Sequence, residues 1–290
     1  MTLETFDVKL TKQTLVSTGP YIYSRGGYNL SNDISKHNQD VWDRLAQNQC
    51  AWSQPVSSDV IKAAKAGHWK IHITKKALTE NWLPKDIQGK KILCLASAGG
   101  QQAPVLAAAG ADVTVFDISQ QQLKQDRIVA ARDELQLTTV QGDMRNLSQF
   151  DDMLFDIIIH PISNLYIPDL TELWKESYRV LKSGGVLLAS FYNPVLFIFD
   201  RDDELTKQGL LRPKYILPYS DQSHLTEEEY QKKTSSGEAI VFGHTLSEQV
   251  GKQIDAGFSI TGFYEDDHPS PRFLIEKYMK TMMATKAVKP

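Results

Sequence analysis

Five short apolar runs punctuate the chain: Lys91–Ala96 (KILCLA), Asp112–Phe116 (DVTVF), the weaker Thr138–Gln141 (TTVQ), Phe155–Ile159 (FDIII) and Gly185–Phe191 (GVLLASF). Nearly unbroken apolar stretches suit strands covered on both faces, as in a parallel sheet. Helical patterns lie between them. Ser119 is predicted to cap a helix carrying Ile128, Ala131 and Leu135 on one face. Asp169 and Glu172 form a capping-box pattern ahead of Leu170, Leu173, Trp174 and Leu181, with Ser183-Gly184-Gly185 as the stop. Thr245 and Glu248 repeat that pattern before Leu246, Val250 and Ile254, and Gly257 ends the turn. Phe258–Tyr264 and Met282–Val288 read as closing strands. This alternation predicts a doubly wound, mostly parallel, seven-stranded α/β sheet with an antiparallel edge hairpin, Rossmann-like in plan.

Residues 1–83 are more polar, with scattered aromatics (Tyr21, Tyr23, Tyr28, Trp42, Trp52, Trp69), and a helix is predicted at Asp40–Asn48. Pro84 and Gly89 set this lead, read as a cap, apart from a main domain over 84–290. Pro194–Gly243 interrupts the strand–helix rhythm with Pro213, Pro218 and Gly237. A loop that long carries structure of its own. Its position puts it over the carboxyl ends of the strands, as a lid.

Composition narrows the classes. Lys and Arg total 32 against 35 Asp and Glu, a net charge of −3 over 290 residues. That balance argues against nucleic acid or an acidic membrane surface as partner. Two cysteines, Cys50 and Cys94, make no disulfide framework. No apolar stretch reaches membrane-spanning length, and Met1–Lys12 lacks a signal-peptide core, so a cytoplasmic globular protein is expected. There is no internal repeat.

Three turns carry the candidate chemistry. Ala96-Ser97-Ala98-Gly99-Gly100 follows the first strand, where small residues let the backbone approach a ligand at a helix N-terminus. Asp117 ends the second strand, where a carboxylate accepts both hydroxyl hydrogens of a ribose. Gly142-Asp143-Met144 follows the third and offers an acceptor for an adenine amino group and a polarizable face for the ring.

In this order the elements resemble the class I S-adenosylmethionine-dependent methyltransferases over residues 84–290. Phe155–Ile159 and Leu181–Gly185 match the family's next two strand regions. The resemblance implies a cofactor, S-adenosylmethionine, held by Ala96, Ser97, Ala98, Gly99, Gly100 and Gln102 at the methionine end. Asp117, Ile118, Gln122, Gly142, Asp143 and Met144 would hold the nucleoside. It also implies transfer of the methyl group to a small-molecule acceptor by in-line displacement. Two positions depart from the family. Cys94 stands where an acidic residue is usual, which leaves the methionine ammonium to Asp156, His72 or a backbone carbonyl. Ala96 and Ala98 stand where glycines are usual, and alanine replaces glycine easily only where φ stays negative.

His160 follows the fourth strand at the same edge, as a candidate ligand for the cofactor's carboxylate, substrate-orienting group or general base. Asn164, Tyr166 and Tyr192 share that edge and, with Trp52, are candidate acceptor contacts, while Trp52 or the Tyr21/Tyr23 pair also offer faces to a sulfonium. His68 and His72, four apart, lack companions for a metal, and no metal is expected. There is no Gly-x-Ser-x-Gly elbow and no phosphate-binding P-loop pattern. Two other readings stay open. Asp117 also suits the adenine ribose of a nicotinamide-dependent dehydrogenase, and Cys94 suits a binding protein without catalysis.

Overall fold

The structure, a computed structural model, describes residues 27–290, with side chains from Ile34 onward. Strands β1 (Lys91–Leu95), β2 (Asp112–Asp117), β3 (Thr138–Gln141), β4 (Phe155–His160) and β5 (Leu181–Tyr192) pair in parallel. Tyr219–Ser220 (β6) and Phe242–Gly243 (β7) form a separate antiparallel pair. β9 (Met282–Val288) inserts antiparallel between β5 and β8 (Ser259–Asp266), which completes a seven-stranded sheet of order β3-β2-β1-β4-β5-β9-β8.

The pleat explains the unbroken apolar runs. Ile92 and Cys94 of β1 join Val113, Val115, Ile157 and Ile159 in one core layer. Leu93 and Leu95 join Phe116, Ile158 and Trp174 in the layer on the other face. Successive side chains point to opposite faces, so a strand covered on both must be apolar at every position. Helices α2 (Ser58–Lys65) and α3 (Gln102–Ala108) supply Ile61 and Leu106 to the first layer, and α5 (Thr171–Val180) supplies Trp174 to the second.

Helix α1 (Gly27–Gln47) begins well before the predicted Asp40. Its buried stripe is Ile34, Asn38 and Val41, and the asparagine in the middle hides the period. Asn38 Nδ2 donates to the carbonyls of Tyr166 and Ile240, both at 3.0 Å, and its Oδ1 accepts from Ile240 N at 2.8 Å. In α4 (Gln120–Asp133) Ser119 is the cap, as expected, but Ile128 points to solvent. The face turned inward is Gln122, Leu123, Asp126 and Val129. The Asp169/Glu172 capping box does not form. Leu170 is the N-cap, α5 stops at Val180, and Ser183-Gly184-Gly185 lies inside β5 rather than ending a helix. Thr245 and Glu248 do exchange reciprocal bonds, yet the turns that follow bury Gln249 and Gln253 and expose Leu246 and Ile254.

The segment after β5 builds α6 (Asp203–Lys207), α7 (Asp221–His224) and α8 (Glu227–Ser235) around the β6–β7 pair. Leu196, Phe197 and Tyr219 of this segment pack with Leu165 beside Tyr166 and Tyr192, and Ile240 and Phe242 pack on Ile34. Among the described residues, no helix is long and apolar enough to cross a membrane.

Candidate functional site

A cavity of about 470 Å³ opens at the carboxyl ends of β1–β5. That volume lies within the roughly 300–1,000 Å³ of small-ligand sites. Its floor is formed by the turns after the strands, its roof by Ser35, Asn38 and Trp42 of α1, and one side by His72–Lys75.

The turn after β1 winds through left-handed backbone at alternate residues: Ala96 has φ 47°, Ala98 69° and Gly100 73°. The condition for an easy glycine-to-alanine exchange is therefore not met, and each alanine costs about 1–2 kcal/mol. Ala98→Gly is expected to raise stability by up to about 1 kcal/mol, after subtracting the greater entropy of an unfolded glycine. A higher urea midpoint at unchanged slope would show it, and an unchanged or lower midpoint would contradict the strain. Ala96, Ser97 and Ala98 line the cavity; Gly99 and Gly100 do not, contrary to expectation. They face α4, where Gly99 N donates to Gln122 Oε1 at 2.8 Å and Gly100 N to Asp126 Oδ1 at 2.9 Å. A Cβ on Gly99 would lie 2.3 Å from the Gln122 carbonyl oxygen. Two inward polar residues of α4 thus satisfy the turn, and Gln122 reaches on to Ser53 Oγ at 2.8 Å. Beneath the turn, burial and then Asp126 push the Cys94 thiol far up, so it stays protonated.

Asp117 lines the next wall with Ile118. Its Oδ1 accepts from Ser119 N at 2.8 Å. Burial, with a smaller push from Asp43, raises its carboxyl to about 7. Gly142 lies flush on Phe116, whose Cζ is 2.3 Å from where a Cβ would sit. Asp143 and Met144 line the cavity. Asp143 is already engaged: its oxygens accept from Arg145 Nε and Nη2 at 2.5–3.1 Å, and Ser35 Oγ donates at 3.1 Å. Burial works against the Asp143 carboxylate, but the Arg145 contacts outweigh it and hold its pKa below the usual range.

His160 does not reach the cavity. It is fully buried, its Nδ1 lies 3.0 Å from Leu95 O, and its ring stands edge-on to Trp174 at 5.9 Å. Burial lowers its pKa to about 4, so it is neutral at pH 7. Leu95 O can only accept, so Nδ1 carries the proton and Nε2 is left with no partner. A base or cofactor-ligand role is corrected on this geometry: period two sends His160 to the α5 face along with Ile158. Pro161, Ile162 and Ser163 take its place at the cavity wall.

Asn164 is likewise turned away, donating to Gln249 Oε1 at 2.7 Å. Tyr166, Tyr192, Trp52 and Gln102 do line the cavity, with Trp42 edge-on to Tyr166 at 5.2 Å. Asp156 is removed as an ammonium partner, because it binds Lys91 N and Lys182 Nζ at the amino end of the sheet. His72 stays a candidate; its backbone N donates to Gln102 Oε1, and burial, then Lys70 and Lys75, hold its imidazole below the usual value. Tyr21 and Tyr23 lie outside the described residues. The sequence reading missed Ser35, Asn38, Trp42, Lys75 and Arg272. Only Trp42 had a signal, its place on a predicted helix.

Strand order, reversed edge hairpin and a crevice at the carboxyl edge define a Rossmann-like protein that binds a nucleoside-type ligand where its strand order turns. A family model described as a methyltransferase domain matches residues 93–189. The uncharacterized methyltransferase YbaJ of Bacillus subtilis is 47% identical over 259 residues, 89% of this chain and 99% of its own length. A ubiquinone biosynthesis O-methyltransferase of Alkalilimnicola ehrlichii is 28% identical over 115 residues, 39% of this chain and 47% of its own length. An S-adenosylmethionine-dependent methyltransferase of Mesorhizobium loti shares the fold, with a TM-score of 0.54 at 18% identity, over 70% of this chain and 92% of its own. The chain belongs to the class I S-adenosylmethionine-dependent methyltransferases, and its cofactor is S-adenosylmethionine. Neither the cavity nor these relatives favour a nicotinamide dehydrogenase or a binder without catalysis.

Proposed function

We propose that the chain methylates a small molecule enclosed in the 470 Å³ cavity, and the roofing of that cavity by α1 is the observation that carries this reading. S-adenosylmethionine, when bound, supplies a methyl group already activated on a sulfonium. The residues present fit it. Ser97 Oγ is a buried polar atom with no partner, and Ala96–Ala98 offer a close backbone approach at the methionine end beside Gln102 and His72. Asp117 is a half-buried carboxyl on the cavity wall that can accept from the ribose, and Ile118, Gly142 and Met144 bound a slot on Phe116 for the adenine. Asp143 meets the adenine amino group by giving up Ser35.

Tyr166, Tyr192 and Trp52 orient the acceptor, and the enclosure keeps water from competing with it. His160 supplies no proton transfer, so positioning carries the rate. Residues 194–243 act as the lid and the 1–83 lead as the cap, because the lid segment and, among the described residues of the lead, Ile34 and Asn38 pack beside the cavity mouth near Tyr166. A net charge of −3 favours a small acceptor over nucleic acid, and the free thiols of Cys50 and Cys94 suit the cytoplasm.

Calorimetric titration of the full chain with S-adenosylhomocysteine and, separately, with NAD tests the site. Saturable one-site binding of the first alone is expected. Binding of NAD alone would overturn the assignment.

A further inference from the structure

The mouth of the cavity, away from Asp117 and Asp143, carries two cations that the cofactor contacts above do not use. Lys75 and Arg272 come from distant parts of the chain and both line the cavity. The segment bearing Lys75 is pinned to the sheet edge: Thr74 Oγ1 and Lys76 N each donate to Asp266 Oδ2 at 2.7 Å. Lys75 Nζ stands 4.3 Å from the centre of the Trp52 ring. Partial desolvation of its ammonium and then the nearby Arg272 lower its pKa.

Arg272 is held against the other aromatic wall. Its Nη2 donates to Tyr192 Oη at 3.1 Å, and the guanidinium lies 5.6 Å from that ring's centre. Its countercharge is Glu276 at 3.5 Å, but that carboxylate is widely shared. It also accepts from the backbone N–H groups of Arg272 and Phe273 and from Thr281 Oγ1. Glu276 is divided and Asp266 is taken up by Thr74 and the Lys76 backbone, so Lys75 and Arg272 share no free countercharge on a protein that is net negative overall. Like charges held near one another are unfavourable until an anion arrives between them. The aromatic neighbours Trp52, Tyr166 and Tyr192 offer flat apolar surface at the same place.

We infer that the acceptor is a small aromatic carboxylate, its acid group between Lys75 and Arg272 and its ring among Trp52, Tyr166 and Tyr192. The inference rests on the methyl-transfer reading and names the substrate class for that site. A carboxylate of the same chemistry also ends the methionine part of the cofactor, so the test must separate the two sources.

The full chain is saturated with S-adenosylhomocysteine and titrated with benzoate and with its uncharged counterpart benzamide, followed by tryptophan fluorescence. Benzoate is expected to bind at least about tenfold more tightly than benzamide, a difference of about 1.4 kcal/mol. Arg272→Gln is expected to bring the two ligands within about threefold while S-adenosylhomocysteine affinity holds. Lys75→Gln, at an exposed position without an ion pair among the described residues, is the second variant should Arg272→Gln unfold. Equal binding of benzoate and benzamide, saturable binding of neither, or a preference that survives both substitutions overturns the inference. So does a variant that loses affinity for S-adenosylhomocysteine but not for methylthioadenosine, which lacks the amino-acid part; the cations would then serve the cofactor. Failure of the methyl-transfer reading looks different: wild-type protein would not bind S-adenosylhomocysteine at all.

Discussion

Asp117→Ala is expected to weaken S-adenosylhomocysteine binding at least about tenfold and to leave the thermal unfolding transition cooperative, because a charge-assisted bond to a ligand is worth about 1.5–3 kcal/mol. The same carboxyl predicts a pH dependence. Burial, assisted by Asp43, holds it at about 7 without ligand. Ribose hydroxyls donate to the charged form, so binding releases a proton and tightens as pH rises. The ionised fraction of such a group goes from roughly one tenth at pH 6 to nine tenths at pH 8, and affinity should rise about tenfold over that span. The ligand's own α-amino group, held protonated by its neighbouring carboxylate, titrates above this range. Asp117→Asn removes the protein's contribution and keeps the ligand's, so the difference between the two profiles isolates Asp117. Titrations at pH 6, 7 and 8 supply it; parallel profiles would mean that Asp117 is not the group that meets the ribose.

The sheet was legible because β1 and β4 bury both faces along most of their length and so run nearly unbroken in apolar residues, a pattern few other environments impose. The positions of Ala96–Ala98, Asp117 and Gly142–Met144 were legible because each turn directly follows a strand, and strand ends in a parallel sheet share one edge. What sequence position cannot give is the direction of a side chain. His160 stands at the right height but on the wrong side of the pleat, and parity with Ile158 was the signal overlooked. Helix faces failed for another reason. Asn38, Gln122, Asp126, Gln249 and Gln253 are buried because they satisfy backbone or side-chain groups of distant segments. A search for apolar stripes passes over such residues. Lys75 and Arg272 lie between regular elements, where there is no period to read, and only the fold brings them together.

The misplaced histidine makes its own prediction, on stability rather than catalysis. His160 is held neutral, with a folded pKa of about 4 against 6.5 in the unfolded chain. Between those values the unfolded state binds more protons, so the contribution is fully present above pH 6.5 and is lost as pH falls through 4. At about 1.36 kcal/mol per unit, wild-type protein should lose about 3 kcal/mol from this residue between pH 7 and pH 4. Asp117 acts in the opposite sense. Its carboxyl, raised to about 7, favours the folded state at low pH, and that advantage is lost as pH rises through 7. The two largely mask each other in any single acid titration, so the wild-type curve alone is a poor witness. His160→Gln keeps an amide donor for Leu95 O and cannot be protonated. Any fixed penalty of the substitution cancels when urea unfolding energies at pH 7 and pH 4.5 are subtracted. The variant should lose about 2–3 kcal/mol less than wild type over that interval and still bind S-adenosylhomocysteine. Equal losses in both proteins would mean that His160 reaches solvent, and would return it to the cavity wall as a candidate base.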